Sequence, residues 1–351
     1  MSKFEYTNNH DERYALVVEQ LEVCADLIKA GKPNKARMAI ILLDNLADIL
    51  MLRHCNYKFS EDDFLSSYIK PKYTKEQVEN AKHNIQGKID LLRTNDRKML
   101  TQKDETIIVV CHAFRNSAQH NDEHNPKTTI AISKVFFVAV SNLFAKFQHS
   151  GHSAYYGGPL PEWARKYSGD TKIVYKEFAQ AIANKLQKGI SIKLPTLKKA
   201  LILDLKNRVD GIEQIIADLP SQDNKDLNYM LKMYQYEQTD QFKNINKNIY
   251  EARYRIHDKT INYHEYGEVI SQVKKEDFVL REAYKPEVTF QTYQKIKSRI
   301  QVIQNQKDLH STLRSYERFN APLEKIESLF IHAIDQWYEH QDLMADIARG
   351  K

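Results

Sequence analysis

Glycine and proline supply only 10 and 9 of the 351 residues, and that scarcity limits the fold more than any other property of the chain. Strands joined by hairpins use such residues at each reversal, so a β-rich chain of this length would need many more of them. The expected fold class is therefore all-α. The apolar pattern agrees: Tyr14, Val17, Leu21, Cys24 and Ile28 recur at helical spacing between about Asp11 and Ala30. Gly31 then stops the helix, and Pro33-Asn34 opens a second one that reaches about His54. This second helix is densely apolar from Ala39 to Leu43 and carries Asp44, Asn45 and Asp48 just beyond.

Capping signals place the next elements. Ser60 with Asp63 suggests the start of a short helix, and Thr74 with Gln77 forms a capping box for a helix to about Leu92. A further helix starts near Thr101, with Asp104 and Glu105 where the helix dipole favours acids and a core stripe of Ile107, Val110, Cys111, Phe114 and Ala118. It ends where Asn121, Asp122, His124, Asn125 and Pro126 break the pattern, and Thr128 to about Phe147 makes a strongly apolar successor. Long helices with short connections pack as an antiparallel bundle.

Three regions are expected: a helical bundle over residues 1–150, an irregular linker or insertion over 151–194, and a second helical region over 195–351. The middle region holds loop-like Gly157-Gly158-Pro159, a short strand candidate at Lys172–Tyr175 and a short helix at Lys176–Leu186. The last region holds a helix from Pro195 to Pro220 and longer stretches over about Leu227–His257, Thr289–Tyr316 and Pro322–Ile347. Their apolar stripes are narrow, as in Phe290, Tyr293, Ile296, Ile300 and Ile303, which suits long paired helices.

The N-terminus has no apolar stretch after its charges, and no run reads as a membrane span, so a cytoplasmic protein without a membrane partner is expected. Cys24, Cys55 and Cys111 are scattered and odd in number, which reads as reduced, buried thiols. The net charge of +6 and a pI near 8.9 allow a polyanionic partner without requiring one. No P-loop, GxGxxG or GxSxG occurs. Neither His149 with His152 nor Cys111-His112 with His120 and His124 has a zinc-site spacing, so no cofactor or metal is expected. Trp163 and Trp337 read as packing anchors, Glu61-Asp62-Asp63 as a capping cluster, and the Tyr- and Lys-rich C-terminal helices as solvated faces with some capacity to stack on RNA.

One segment stands out, Arg115-Asn116-Ser117-Ala118-Gln119-His120, at the end of an apolar helix. Asn116 and His120 are four residues apart and share a helix face, Arg115 is one step round, and Gln119 lies one turn on from it. A guanidinium can grip two phosphate oxygens, an imidazole can move protons near neutral pH, and an amide can fix an oxygen or orient the imidazole. That set suffices to cleave RNA through its own 2′-hydroxyl. An Arg followed four to six residues later by His arises by chance about once or twice in a chain with this many histidines, so the bare spacing carries little weight. The adjacent Asn116, the apolar helix before it and the polar break after it add weight.

In these features the chain resembles the HEPN superfamily (higher eukaryotes and prokaryotes nucleotide-binding domain) over roughly residues 11–150. Phe114-Arg115-Asn116-Ser117-Ala118-Gln119-His120-Asn121 fits its Arg-x4–6-His motif, and Ala39 to Asp48 is similar to its apolar helix with embedded acids. The resemblance implies a metal-independent endoribonuclease, a homodimer whose two motif helices face each other across one composite cleft. It implies that Arg115 stabilises the phosphate, His120 is the acid/base group and Asn116 positions one or the other, with Asp44, Asp48 and Gln119 in support. A toxin or antiviral role on cellular or phage RNA follows by analogy, with an antitoxin or sensor as a possible protein partner and residues 195–351 serving sensing or oligomerisation. Some family toxins carry a Tyr two residues after the motif His; Asp122 stands there, so that mode of control does not carry over. The alternative is a non-catalytic helical adaptor or RNA-binding subunit of a defence complex, with Arg115 and His120 held in intramolecular salt bridges.

Overall fold

A computed structural model describes residues 10–66, 68–94, 100–120, 125–146, 166–167, 175–219 and 221–349. Among these residues there are 13 α-helices, one 3-10 helix and no strand, so the fold is all-α. Residues 172–174 of the expected strand and half of the expected linker lie outside the described residues, as do His124, His149, His152 and Trp163; Tyr175 begins a helix. The chain divides into two compact units, residues 1–204 with 304–315, and residues 205–303 with 316–351. The first unit thus runs past the boundaries expected at 150 and 194 and takes back a segment from near residue 304.

The first unit contains α1 (His10–Lys29), α2 (Pro33–Leu65), α3 (Lys75–His83), α4 (Ile85–Thr94), α5 (Gln102–His120), α6 (Pro126–Lys146) and α7 (Tyr175–Gln187). It also includes the first residues of α8 (Leu194–Asp218). Its centre is the contact of α2 with α6, flanked by α1, α5 and α7. Helix α2 buries Ala36, Ala39, Ile40, Leu43, Leu46, Ala47, Leu50 and Met51 at helical spacing. Helix α6 is buried on nearly every side, including Ile132, Phe136, Phe137, Val140 and Phe144. It is long and apolar enough to cross a membrane by length and composition, yet 78% of its most apolar window is buried against the other helices. Its buried hydroxyls find carbonyls: Ser141 donates to Phe137 of its own helix at 2.7 Å, and Thr128 to Ala200 of α8 at 2.9 Å. Tyr14 packs its ring between Phe144 and Phe178, 5.1 and 6.1 Å away. All three cysteines are free and buried, and burial pushes the Cys24 and Cys55 thiols up to about 12.

Two local expectations are corrected. Helix α2 does not end near His54 with a new start at Ser60; it continues to Leu65. Asp62 explains part of this, because its carboxylate accepts the backbone N–H groups of Lys72 at 2.8 Å and Tyr73 at 3.1 Å, tying the returning chain to the helix. The ring of Tyr73 also meets Phe59 edge-on at 5.4 Å. Conversely, the helix begun by the Thr74–Gln77 capping box, which is present, stops at His83 and restarts at Ile85. The break falls at Asn84, and Gly87 lies in the first turn of α4, where any Cβ would be 2.7 Å from the Asn80 backbone.

The second unit contains the rest of α8, α9 (Asn224–Glu237), α10 (Asp240–His257), α11 (Tyr263–Ala283), α12 (Phe290–Arg299), the 3-10 helix (Ile300–Asn305) through Ile303, and most of α13 (Leu309–Ala348). The stretch expected as one helix over 227–257 is two, separated at Thr239, which caps α10 by accepting from the Phe242 N–H. The narrow stripe Phe290, Tyr293, Ile296, Ile300 and Ile303 is buried throughout. Buried Gln235 fixes the segment before α12, donating to the Val288 carbonyl at 2.8 Å and accepting from the Glu287 and Val288 N–H groups at 3.0 Å. Helix α13 runs straight through Pro322, where a new start was expected. An internal proline costs about 3 kcal/mol, and Tyr316, Leu323, Ile326 and Phe330, all buried around it, supply compensating packing. Arg208 braces this region by donating to Glu327 at 2.7 and 2.8 Å and to Asn320 at 2.5 Å.

The close approach at Gly87 makes a defined prediction. Gly87→Ala should destabilise the protein by about 1–3 kcal/mol, read as a lower urea midpoint at unchanged slope. An unchanged midpoint would show that α3 and α4 separate freely.

Candidate functional site

The site grows from a sequence conflict in α2. Asp44 continues the buried stripe of Ile40, Leu43 and Ala47, and only 5% of its surface is exposed. A carboxylate in such a position costs several kcal/mol unless charged or hydrogen-bonding groups meet it. Helix α5 supplies both. Its apolar face, Ile108, Val110, Cys111 and Phe114, is buried, with Ile108 rather than the expected Ile107 in the core. The adjoining edge turns His112 and Arg115 onto Asp44.

His112 Nδ1 lies 2.9 and 3.2 Å from the two Asp44 oxygens. Arg115 Nε is 3.5 Å from Asp44 Oδ2. This is an ion-pair distance without a hydrogen bond, so the shielded Nε donates to no group. Arg115 Nη1 donates to Asn116 Oδ1 at 2.9 Å. The exposure rises outward: the side chain of Asp44 is 8% exposed, His112 29% and Arg115 32%, and Asn116 is exposed. The cluster is thus a buried anion carrying two half-buried nitrogen groups, which reach toward solvent beside an exposed amide.

The structure therefore brings Asp44, Arg115 and Asn116 together. It does not bring in Asp48, whose Oδ1 accepts from the buried Lys88 ammonium at 2.7 Å. Gln119 and His120 form the last turn of α5, and the positions of their side chains lie outside what is described. His112 is the residue that sequence reasoning missed as part of this site, having weighed it only as a metal ligand. The available signal was its spacing, three and four residues before Arg115 and Asn116 on one helix face. Cys111, its neighbour, is buried in the core. Trp337, in the second unit, lines a cleft of about 380 Å³ with Leu227, Met230 and Tyr234.

No protein-family model, curated protein or solved structure matches the chain.

Replacing Asp44 separates a structural from a chemical role. Removing one partner of a fully buried ion pair costs about 3–5 kcal/mol, whereas exposed pairs contribute about 0–1 kcal/mol. His112 and Arg115 are both partly open to water and can be rehydrated. Asp44→Leu is therefore expected to change the unfolding free energy by no more than about 1 kcal/mol in a urea titration. A loss of about 3 kcal/mol or more would make Asp44 a structural anchor.

Proposed function

We propose that this chain is a metal-independent endoribonuclease of HEPN type, in which the 2′-oxygen of RNA attacks the adjacent phosphorus. The P–O5′ bond breaks, leaving a 2′,3′-cyclic phosphate on one fragment and a 5′-hydroxyl on the other. The observation that carries the reading is the cluster at the Asp44 carboxylate: Arg115 3.5 Å from it and hydrogen-bonded to Asn116, half-open to solvent near the C-terminal end of α5. In this reading Arg115 takes the phosphate and its developing charge, since a guanidinium presents two parallel donors to two oxygens. Asn116 holds the Arg115 fork in plane, and Asp44 fixes its inner edge. His120 moves protons, with Gln119 beside it. The helix end is shallow, so a homodimer pairing two copies of α5 supplies the enclosure that one copy lacks. By analogy the biology is a cytoplasmic toxin or antiviral effector, with the second helical unit for sensing, oligomerisation or contact with an antitoxin.

The competing reading, a non-catalytic adaptor or RNA-binding subunit, has one observation in its favour. Arg115 already leans on an internal carboxylate, as a purely structural arginine would.

Cleavage decides between them. Wild-type protein should cut single-stranded RNA to cyclic-phosphate ends in the presence of EDTA, and Arg115→Ala and His120→Ala should each lower the rate by about 10²–10⁴. Arg115→Lys should recover little, because an ammonium cannot reproduce the fork. Cleavage by both alanine variants at the wild-type rate would remove the site assignment, and RNA binding without cleavage by the wild type would favour the adaptor.

A further inference from the structure

We propose that His112 is a second proton-moving residue, the general base toward the 2′-hydroxyl, with Asp44 as its positioning carboxylate. This rests on the ribonuclease reading and deepens it. Cleavage through the 2′-hydroxyl needs two proton transfers: one off the attacking oxygen, one onto the departing 5′-oxygen. A single imidazole cannot do both in one transition state, and the motif supplies just one, His120, in each chain. The second imidazole is already present in the same chain.

The geometry is that of an oriented base. Both Asp44 oxygens lie within 3.2 Å of His112 Nδ1, which places the ring proton there and leaves Nε2 as the acceptor lone pair. The ring is fixed from the buried side and is 29% exposed on the other, so Nε2 has a route to solvent-borne substrate. His112 stands three and four residues before Arg115 and Asn116, so a phosphate gripped by Arg115 would lie about one helical turn from the ring. Burying Asp44 beneath it serves no need of the core, where an aliphatic residue would continue the α2 stripe without a desolvation cost. In the proposed step Nε2 takes the 2′-hydroxyl proton as the 2′-oxygen bonds to phosphorus. The P–O5′ bond breaks, and the 5′-oxygen receives its proton from the second group, His120.

The test uses the full-length protein, an RNA that it cuts, and the same RNA with sulfur as the bridging 5′-atom at the scissile bond. A thiolate leaves without protonation, so loss of the acid is forgiven and loss of the base is not. His112→Gln should lower kcat by about 10²–10⁴ on both substrates with KM little changed. His120→Ala should be slow on the oxygen RNA and largely restored on the sulfur RNA. Asp44→Asn should share the His112→Gln behaviour. Imidazole added to His112→Gly should restore activity, which a merely misfolded variant would not allow, and thermal midpoints of all variants provide the folding control. If His112→Gln cuts within threefold of wild type while Arg115→Ala is inert, His112 is structural and the ribonuclease reading survives without it. Restoration of His112→Gln by the sulfur substrate would overturn the base assignment. Absence of cleavage by the wild type would overturn both.

Discussion

The first unit depends on the burial of α6 against α2. Helix α6 hides almost all of its surface, and α2 presents to its neighbours a stripe from Ala36 to Met51 that is apolar except at Asp44. Burying a large aliphatic or aromatic side chain is worth about 1.5–3 kcal/mol, so this pairing outweighs local defects around it. It tolerates the polar turn after His54 in α2, and it accommodates Ser133 and Ser141 within α6, both donating to carbonyls of their own helix. It also makes Asp44 conspicuous. This charged residue in the buried stripe of α2 is met by His112 and Arg115 of α5, whose edge runs out to the exposed Asn116.

Much of this was legible in the chain. The scarcity of turn residues gave the all-α class, and the 3.6-residue periodicity placed α1, α5, α6 and the buried stripe of α12. Helix ends were harder, because they depend on contacts distant in sequence. Asp62 carries α2 past His54 by holding Lys72 and Tyr73, and packing around Pro322 carries α13 through a residue that usually interrupts a helix. The break before Gly87 answers to a backbone approach with Asn80 that no local pattern announces.

The candidate site divides along the same line. Arg115, Asn116 and His120 share one helix, and their grouping was legible from spacing together with the apolar helix before them and the polar break after. The choice between Asp44 and Asp48 was not, since both sit at the edge of the same stripe four residues apart; Lys88, from α4, claims Asp48 and leaves Asp44 to α5. His112 was overlooked because its role is conferred by a carboxylate 68 positions earlier. Spacing reveals which residues share a face, and only tertiary contact reveals what that face meets.

The return of residues 304–315 to the first unit has a consequence for biosynthesis. Its visible tie is Lys198, nine-tenths buried, whose ammonium donates to the Gln304 carbonyl at 3.0 Å. A nascent chain that has emerged through α7 already holds Asp44, His112 and Arg115 but lacks the segment that completes their unit. The entire stretch 205–303 must be translated first, so the unit is complete only once residue 315 of 351 has been made. The unit that carries Asp44, His112 and Arg115 is therefore the one that closes late, although most of it is made first.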